Sequence, residues 1–184
     1  MKKQSNFAYI LRLTVTLLLI TSLAAACLGA VNGITRERIA INAAEKTRKA
    51  LEEVLPGALD MQLIDDKGSG IVQAVYAPAA TSPVQGYAVQ VAPNGFGGEV
   101  VMIVGLDGEG KVCGLSIVSH AETPGLGAVA AAATPAGEGF RGSFTGKTGT
   151  LTVGDIDAMS GATITSQAVV DGVNAALDYV SKLG

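Results

Sequence analysis

Hydrophobic positions are spread unevenly along the 184-residue chain. From Leu13 to Val31, LTVTLLLITSLAAACLGAV, nineteen residues pass without a charge. As a helix they would cover roughly 28 Å, close to the hydrocarbon thickness of a bilayer. The next stretch, NGITRERIAINAAEKTRKALEEVLPG, keeps a helix-compatible pattern to about Val54 and is stopped by Pro56. The pattern then changes. MQLID (61–65), GIVQAVYA (70–77), VQGYAVQVA (84–92), EVVMIVGLD (99–107) and KVCGLSIVSH (111–120) are short, β-branched and bounded by Gly, Pro or Asp, which predicts strands. LDGEGK (106–111) reads as a hairpin turn between the last two. Gln85, Tyr87 and Gln90 do not share one parity, so the pattern leaves the faces of that strand unassigned. The Ala-rich run 126–134 predicts a short helix, and FRGSFTGKTGTLTVG (140–154) a turn-rich segment with a short strand at its end. SQAVVDGVNAALDYVSKL (166–183) closes the chain as an amphipathic helix, with Val169, Val173, Ala176, Leu177 and Val180 at helical spacing. Strands and helices do not alternate strictly, which points to an α+β fold with a largely antiparallel sheet.

Charge gives this outline an orientation. Lys2, Lys3 and Arg12 precede the apolar run, so the positive-inside rule keeps the N-terminus cytoplasmic and carries everything after Asn32 across the membrane. SLAAAC has the small residues of a signal-peptide cleavage site, but the apolar run is long and no turn-forming break follows it, so it reads as an uncleaved anchor. Ala24 stands where a lipobox places leucine, which weighs against lipidation of Cys27. Setting aside the three leading cations leaves ten basic against sixteen acidic residues, a net charge near −6 that argues against nucleic acid or an anionic lipid surface as partner. The span holds no charge with which to conduct an ion. Cys27 and Cys113 are not expected to meet, and a single histidine, His120, excludes a His-rich or paired His–Cys metal site. The expected divisions are 1–31, a cytoplasmic N-terminus and single anchor; 32–56, a helical connector; and 57–184, an extracytoplasmic domain.

Four stretches invite a chemical reading. In GSFTGKTG (142–149) Gly142 leaves three residues before Gly-Lys-Thr where a phosphate-binding loop needs four, and Arg141 occupies the place of the glycine. It reads as an ordinary loop. NGFGGE (94–99) reads as a turn. SHAETPGLG (119–127) leaves a strand and bends at Thr-Pro-Gly. A plain connection would explain the bend, but Gly125 and Gly127 would also let the backbone approach a flat ligand. In DAMSGATITS (157–166), Thr165 or Ser166 suffices to cap the final helix. That leaves Ser160 and Thr163 without a task. A phosphate just before a helix N-terminus is stabilised by free N–H groups and the macrodipole, and Thr163 stands there between small neighbours. The residues by themselves leave both readings open, a capped helix start or a phosphate site.

DAMSGAT resembles the D-x-x-[ST]-G-A-[ST] sequence at which a Mg-dependent flavin transferase attaches FMN to threonine with FAD as donor; Asp157, Ser160, Gly161, Ala162 and Thr163 all match. ETPGLG (122–127), upstream of it, and the N-terminal anchor followed by NGITRERI are similar too. The resemblance is to the covalent FMN-binding domain family, which includes the G subunit of the Rnf ion-translocating ferredoxin:NAD oxidoreductase and, on a longer chain, the C subunit of the sodium-pumping NADH:quinone oxidoreductase. It spans essentially the whole chain, and the length favours the Rnf branch. One departure is the Ala-rich run after ETPGLG, where relatives often carry bulkier residues.

The resemblance implies one covalent FMN per chain, joined as a phosphoester to Thr163. Ser160, Gly161 and Ala162 would bring the phosphate onto the start of the final helix, with Thr165 and Ser166 as further donors. Glu122, Thr123, Gly125, Leu126 and Gly127 would lie along the isoalloxazine ring, while Asp157 would serve recognition by the transferase. His120 is expected to do little more than end its strand. Residues 57–184 would be an FMN-binding domain outside the cytoplasm, carried on a single-pass protein of the cell (inner) membrane. The implied function is an electron relay within the Rnf complex, a redox subunit without independent catalysis, whose partners are the transferase during maturation and other subunits, polytopic ones included. Two alternatives remain at this stage: a stand-alone membrane-anchored FMN carrier serving another reductase, and a cofactor-free exported binding module in which Thr163 is only a cap.

Overall fold

A computed structural model of the chain describes residues 4–58, 60–65, 68, 70–80, 82 and 85–183. Lys2, Lys3 and Val84 lie outside them. Helix α1 runs Gln4–Val54 and ends two residues before Pro56, as the pattern predicts. The chain divides into two compact units, residues 1–45 and 46–184. The first is helical and carries an apolar window of mean hydropathy 2.1, long enough to cross a membrane, with its large side chains exposed.

The second unit begins with the last nine residues of α1. Five strands follow: β1 (Gln62–Asp65), β2 (Val72–Ala77), β3 (Gly86–Val91), β4 (Val101–Asp107) and β5 (Val112–Ser119). They form an antiparallel meander in chain order. The β4–β5 hairpin closes where LDGEGK predicts it, with Asp107 Oδ1 accepting the N–H groups of Glu109 and Lys111 at 2.9 and 2.8 Å. Helix α2 (Pro135–Gly142) and helix α3 (Thr163–Ser181) complete the unit, with 3₁₀ turns at Gly127–Ala131 and Val153–Asp155.

Alternation along the strands resolves the faces the pattern left open. Val89 and Val91 of β3, with Met102, Val104 and Leu106 of β4, join Val169, Val170, Val173 and Ala176 of α3 in the main core. Ala88 and Ile103 point the other way and pack with Ala50, Leu51, Val54 and Leu55 from the end of α1. The antiparallel sheet is thus covered on both faces.

Three expectations are corrected. Residues 135–142, read partly as loop, form α2: Pro135 opens it, Thr134 Oγ1 accepts the Gly137 N–H at 3.3 Å, and Phe140 and Phe144 are buried edge to face with centroids 5.5 Å apart. No strand ends the 140–154 segment. Residues 153–155 form a 3₁₀ turn held by a Thr152–Asp155 capping box instead. Finally, α3 starts at Thr163 rather than Ser166. Its N-cap, Ala162, offers no side-chain bond, and neither Thr165 nor Ser166 caps the helix, because both hydroxyls are committed elsewhere.

Candidate functional site

Thr163 is the first residue of α3, and its side chain is exposed. The turn before it is built from Gly161, at φ +74°, and from Ala162, whose N–H reaches Met159 O at 3.2 Å. The positive φ is one that glycine adopts without strain. Ser166 Oγ accepts the Met159 N–H at 3.1 Å, so this loop is tied to the helix it precedes. The first helical bond runs from Ser166 N–H to Ala162 O at 2.9 Å. The N–H groups of Thr163, Ile164 and Thr165 therefore have no partner within the helix, and the positive end of the helix dipole lies beside the Thr163 hydroxyl.

The second wall comes from the segment after β5. Glu122 is 6% exposed, an unusual depth for a carboxylate, and it is supported on every side. Its N–H donates to His120 Nδ1 at 3.2 Å. Its Oε1 accepts the Gly97 N–H at 2.9 Å, and its Oε2 accepts the Thr165 hydroxyl. The Thr123 carbonyl accepts the N–H groups of Leu126 and Ala128, folding 123–128 into a tight turn through Gly125 at φ +77°. A Cβ on Gly127 would meet Glu122 Oε2 and Thr165 Oγ1 together, so any other residue there would have to displace that hydrogen-bonded pair.

Between these walls lies a cleft of about 330 Å³ lined by Phe96, Glu122, Thr123, Leu126, Gly127, Gly161, Ala162, Thr163, Ile164 and Thr165. The fold thus brings together eight of the residues singled out in the sequence. Ser160 and Asp157 are exposed beside the cleft without lining it, Gly125 shapes the turn beneath it, and Ser166 is fully buried behind it. Phe96 and Ile164 were not anticipated. Ile164 follows Thr163 directly, but nothing in its identity marks it. Phe96 sits in the NGFGGE turn, whose glycine content concealed its neighbour.

Residues 95–178 match the FMN-binding domain family. The chain is 34% identical to the G subunit of the ion-translocating oxidoreductase complex of Methanosarcina acetivorans, over 96% of this chain and 97% of that one. The chain belongs to the G-subunit family of ion-translocating oxidoreductase complexes. Within that family it is 30% identical to the G subunit of the Na⁺-translocating ferredoxin:NAD⁺ oxidoreductase complex of Acetobacterium woodii, over 99% of this chain and 97% of the relative. The G subunit of the proton-translocating ferredoxin:NAD⁺ oxidoreductase complex of Clostridium ljungdahlii is 41% identical over 58% of this chain and 59% of its own.

The cleft fits the cofactor of an FMN-binding family. A phosphate suits the helix terminus at Thr163, and a flat ring suits walls made of glycine, leucine, isoleucine and phenylalanine. Among the described residues no group of His, Cys, Asp and Glu is placed to hold a metal. Cys113 is exposed on β5, and partial desolvation together with the charge of Asp107 pushes its thiol up from the ordinary value.

Proposed function

We propose that this chain is the electron-relay subunit of a membrane-bound ferredoxin:NAD oxidoreductase of the Rnf type, a redox subunit with no catalysis of its own. Thr163 Oγ1 carries FMN through a phosphoester, one per chain. FMN, when bound, supplies one- and two-electron transfer, and the protein's part is placement and field. The free N–H groups of the first α3 turn receive the phosphate, with Ser160, Gly161 and Ala162 shaping its approach and Thr165 and Ser166 at the same helix end. Thr165 supports Glu122 as well, and Ser166 holds the Met159 loop. Glu122, Thr123, Leu126 and Gly127 lie along the ring, with Gly125 setting their turn. Asp157, exposed outside the cleft, serves recognition by the flavin transferase.

The single observation carrying this reading is an exposed threonine hydroxyl at a helix N-terminus, opening onto a cleft of apolar and glycine walls. A tether also has a physical motive. A domain outside the cytoplasm cannot readily recapture a dissociated cofactor, and a covalent bond removes dissociation. In this reading α1 crosses the cell (inner) membrane once with its N-terminus in the cytoplasm, and the other subunits, polytopic ones among them, exchange electrons with the exposed edge of the cleft. The relatives are named for Na⁺ in one case and protons in another, so family membership does not carry the coupling ion.

The test is peptide mass spectrometry on protein made with its flavin transferase. The peptide containing Thr163 is expected to gain the mass of FMN less one water, and Thr163→Ala to remain unmodified. An unmodified Thr163 in a colourless wild-type protein would overturn the reading.

A further inference from the structure

Phe96 is 70% exposed although it belongs to a tightly held turn. Beyond β3 the chain forms a narrow extension: Val100 N–H bonds Pro93 O at 2.9 Å, Asn94 and Glu99 make an isolated antiparallel bridge, and Gly95 N–H bonds Gly98 O at 2.8 Å. Phe96 stands at the tip, between Gly95 and Gly97. A Cβ on Gly95 would collide with Glu122 Oε1, and one on Gly97 with the carbonyl oxygen of Ala121. The Gly97 clash is with backbone, so glycine is required there for the turn to lie directly on Ala121–Glu122, and the Gly97 N–H then bonds the Glu122 carboxylate. Through its other oxygen the same carboxylate holds Thr165, in the first turn of α3. One buried acid therefore sets the spacing between the Phe96 turn and the first turn of α3. Phe96 is held on one rim of a cleft whose other large apolar side chains, Leu126 and Ile164, are also exposed.

A rigidly held aromatic exposed beside a cleft is matched by a flat aromatic ligand, since offset stacking adds to the apolar area removed from water. We infer that Phe96 is a ring-contacting wall for the isoalloxazine, and that Glu122 is a positioning residue that holds Phe96 at the right distance through the Gly97 N–H. The inference rests on the proposal that FMN is joined to Thr163, and it adds a residue that neither sequence motif contains. It also gives Glu122 a role through the backbone, distinct from touching the ring.

The experiment uses the full chain, flavinylated by its transferase and purified in detergent, as wild type, Phe96→Ala, Phe96→Tyr, Glu122→Gln and Glu122→Ala. Spectra are read only on the fraction whose Thr163 peptide carries the FMN mass, so absence of that mass in the wild type defeats the underlying reading and not this one. In Phe96→Ala, quenching of flavin fluorescence by iodide is expected to rise about twofold or more as one covering group is lost, with a changed visible circular dichroism of the flavin. Phe96→Tyr should restore both. Glu122→Gln keeps an oxygen that can accept the Gly97 N–H and should stay near wild type, whereas Glu122→Ala should resemble Phe96→Ala. A flavinylated Phe96→Ala protein with wild-type quenching and dichroism would overturn the assignment of Phe96. Glu122→Ala with wild-type spectra would overturn the positioning role.

Discussion

The two faces of the sheet achieve close packing in opposite ways. Toward α3 the strands carry the bulk, and the helix gives way: Gly172 lies against Met102, where a Cβ would collide with the Met102 methyl and lie 3.1 Å from Pro93 Cγ. Toward α1 the helix end carries the bulk, and the sheet gives way. Gly105 and Gly114 are paired across β4 and β5, and together they form a seat for Val54. A Cβ on Gly105 would lie 2.5 Å from the Val54 carbonyl oxygen and 2.8 Å from its Cβ, and one on Gly114 would lie 3.1 Å from its Cα. Ser116 Oγ adds a 2.6 Å bond to Glu53 on this side. The end of α1 is therefore core, with Val54 at 0% exposure, and not merely a stalk leading to the domain.

Removing that end should have the largest effect. A chain starting at residue 58 loses Leu51, Val54 and Leu55, at roughly 1.5–3 kcal/mol each, a large part of the ~5–15 kcal/mol by which a domain is stable. It is expected to lose its cooperative thermal transition by circular dichroism, whereas a chain starting at Lys46 keeps one. Equal melts for the two would mean that the α1 face contributes nothing. Gly105→Ala comes next, because its Cβ would meet backbone that cannot step aside. A loss of about 1–3 kcal/mol is expected in denaturant titration. Gly172→Ala should be far milder, within about 1 kcal/mol of wild type, since the flexible end of Met102 can move and alanine gains about 1 kcal/mol of helix propensity. If Gly172→Ala were the more damaging of the two, the assignment of which element yields on each face would be wrong.

The smallest effect concerns the 3₁₀ turn at Val153–Asp155. Hydrogen bonds from the Thr152 hydroxyl and N–H hold the Asp155 carboxyl below its ordinary 3.8. A depressed carboxyl contributes stability that is present above the unfolded value and lost as pH falls through the folded one. Thr152→Ala should therefore lower the melting temperature slightly at pH 7, and the difference from wild type should shrink in titrations carried below about pH 3.8. A difference that stays constant through that range would assign the effect to something other than the charge.

Much of this was legible in the sequence, and for identifiable reasons. The strands are β-branched runs punctuated by Gly, Pro and Asp, and those signals are local. DAMSGAT and ETPGLG lie apart in the chain but share one cleft, and each could be recognised separately. What escaped depended on distant partners. PAGEGFRG has three glycines and a poor helical propensity; it becomes α2 because Phe140 is buried against Phe144 and Arg141 closes the preceding turn by donating to Ala130 O at 2.6 Å and Ala132 O at 3.1 Å. The early start of α3 was hidden because Thr165 and Ser166, good caps by identity, are spent on Glu122 and Met159. Phe96 carries no such signal because NGFGGE is indeed a turn, and the role inferred for it depends on an acid 25 residues away from Gly97.

The exposure of Thr163 has a consequence for the order of events in the life of the molecule. Its hydroxyl is presented on the finished surface, beside a loop tied to α3 by the Met159–Ser166 bond. If Thr163 is modified as proposed, the flavin transferase need not race against folding to reach it. In the proposed reading, loading the cofactor can then follow folding, and the colour of the protein would report chains whose site is already formed.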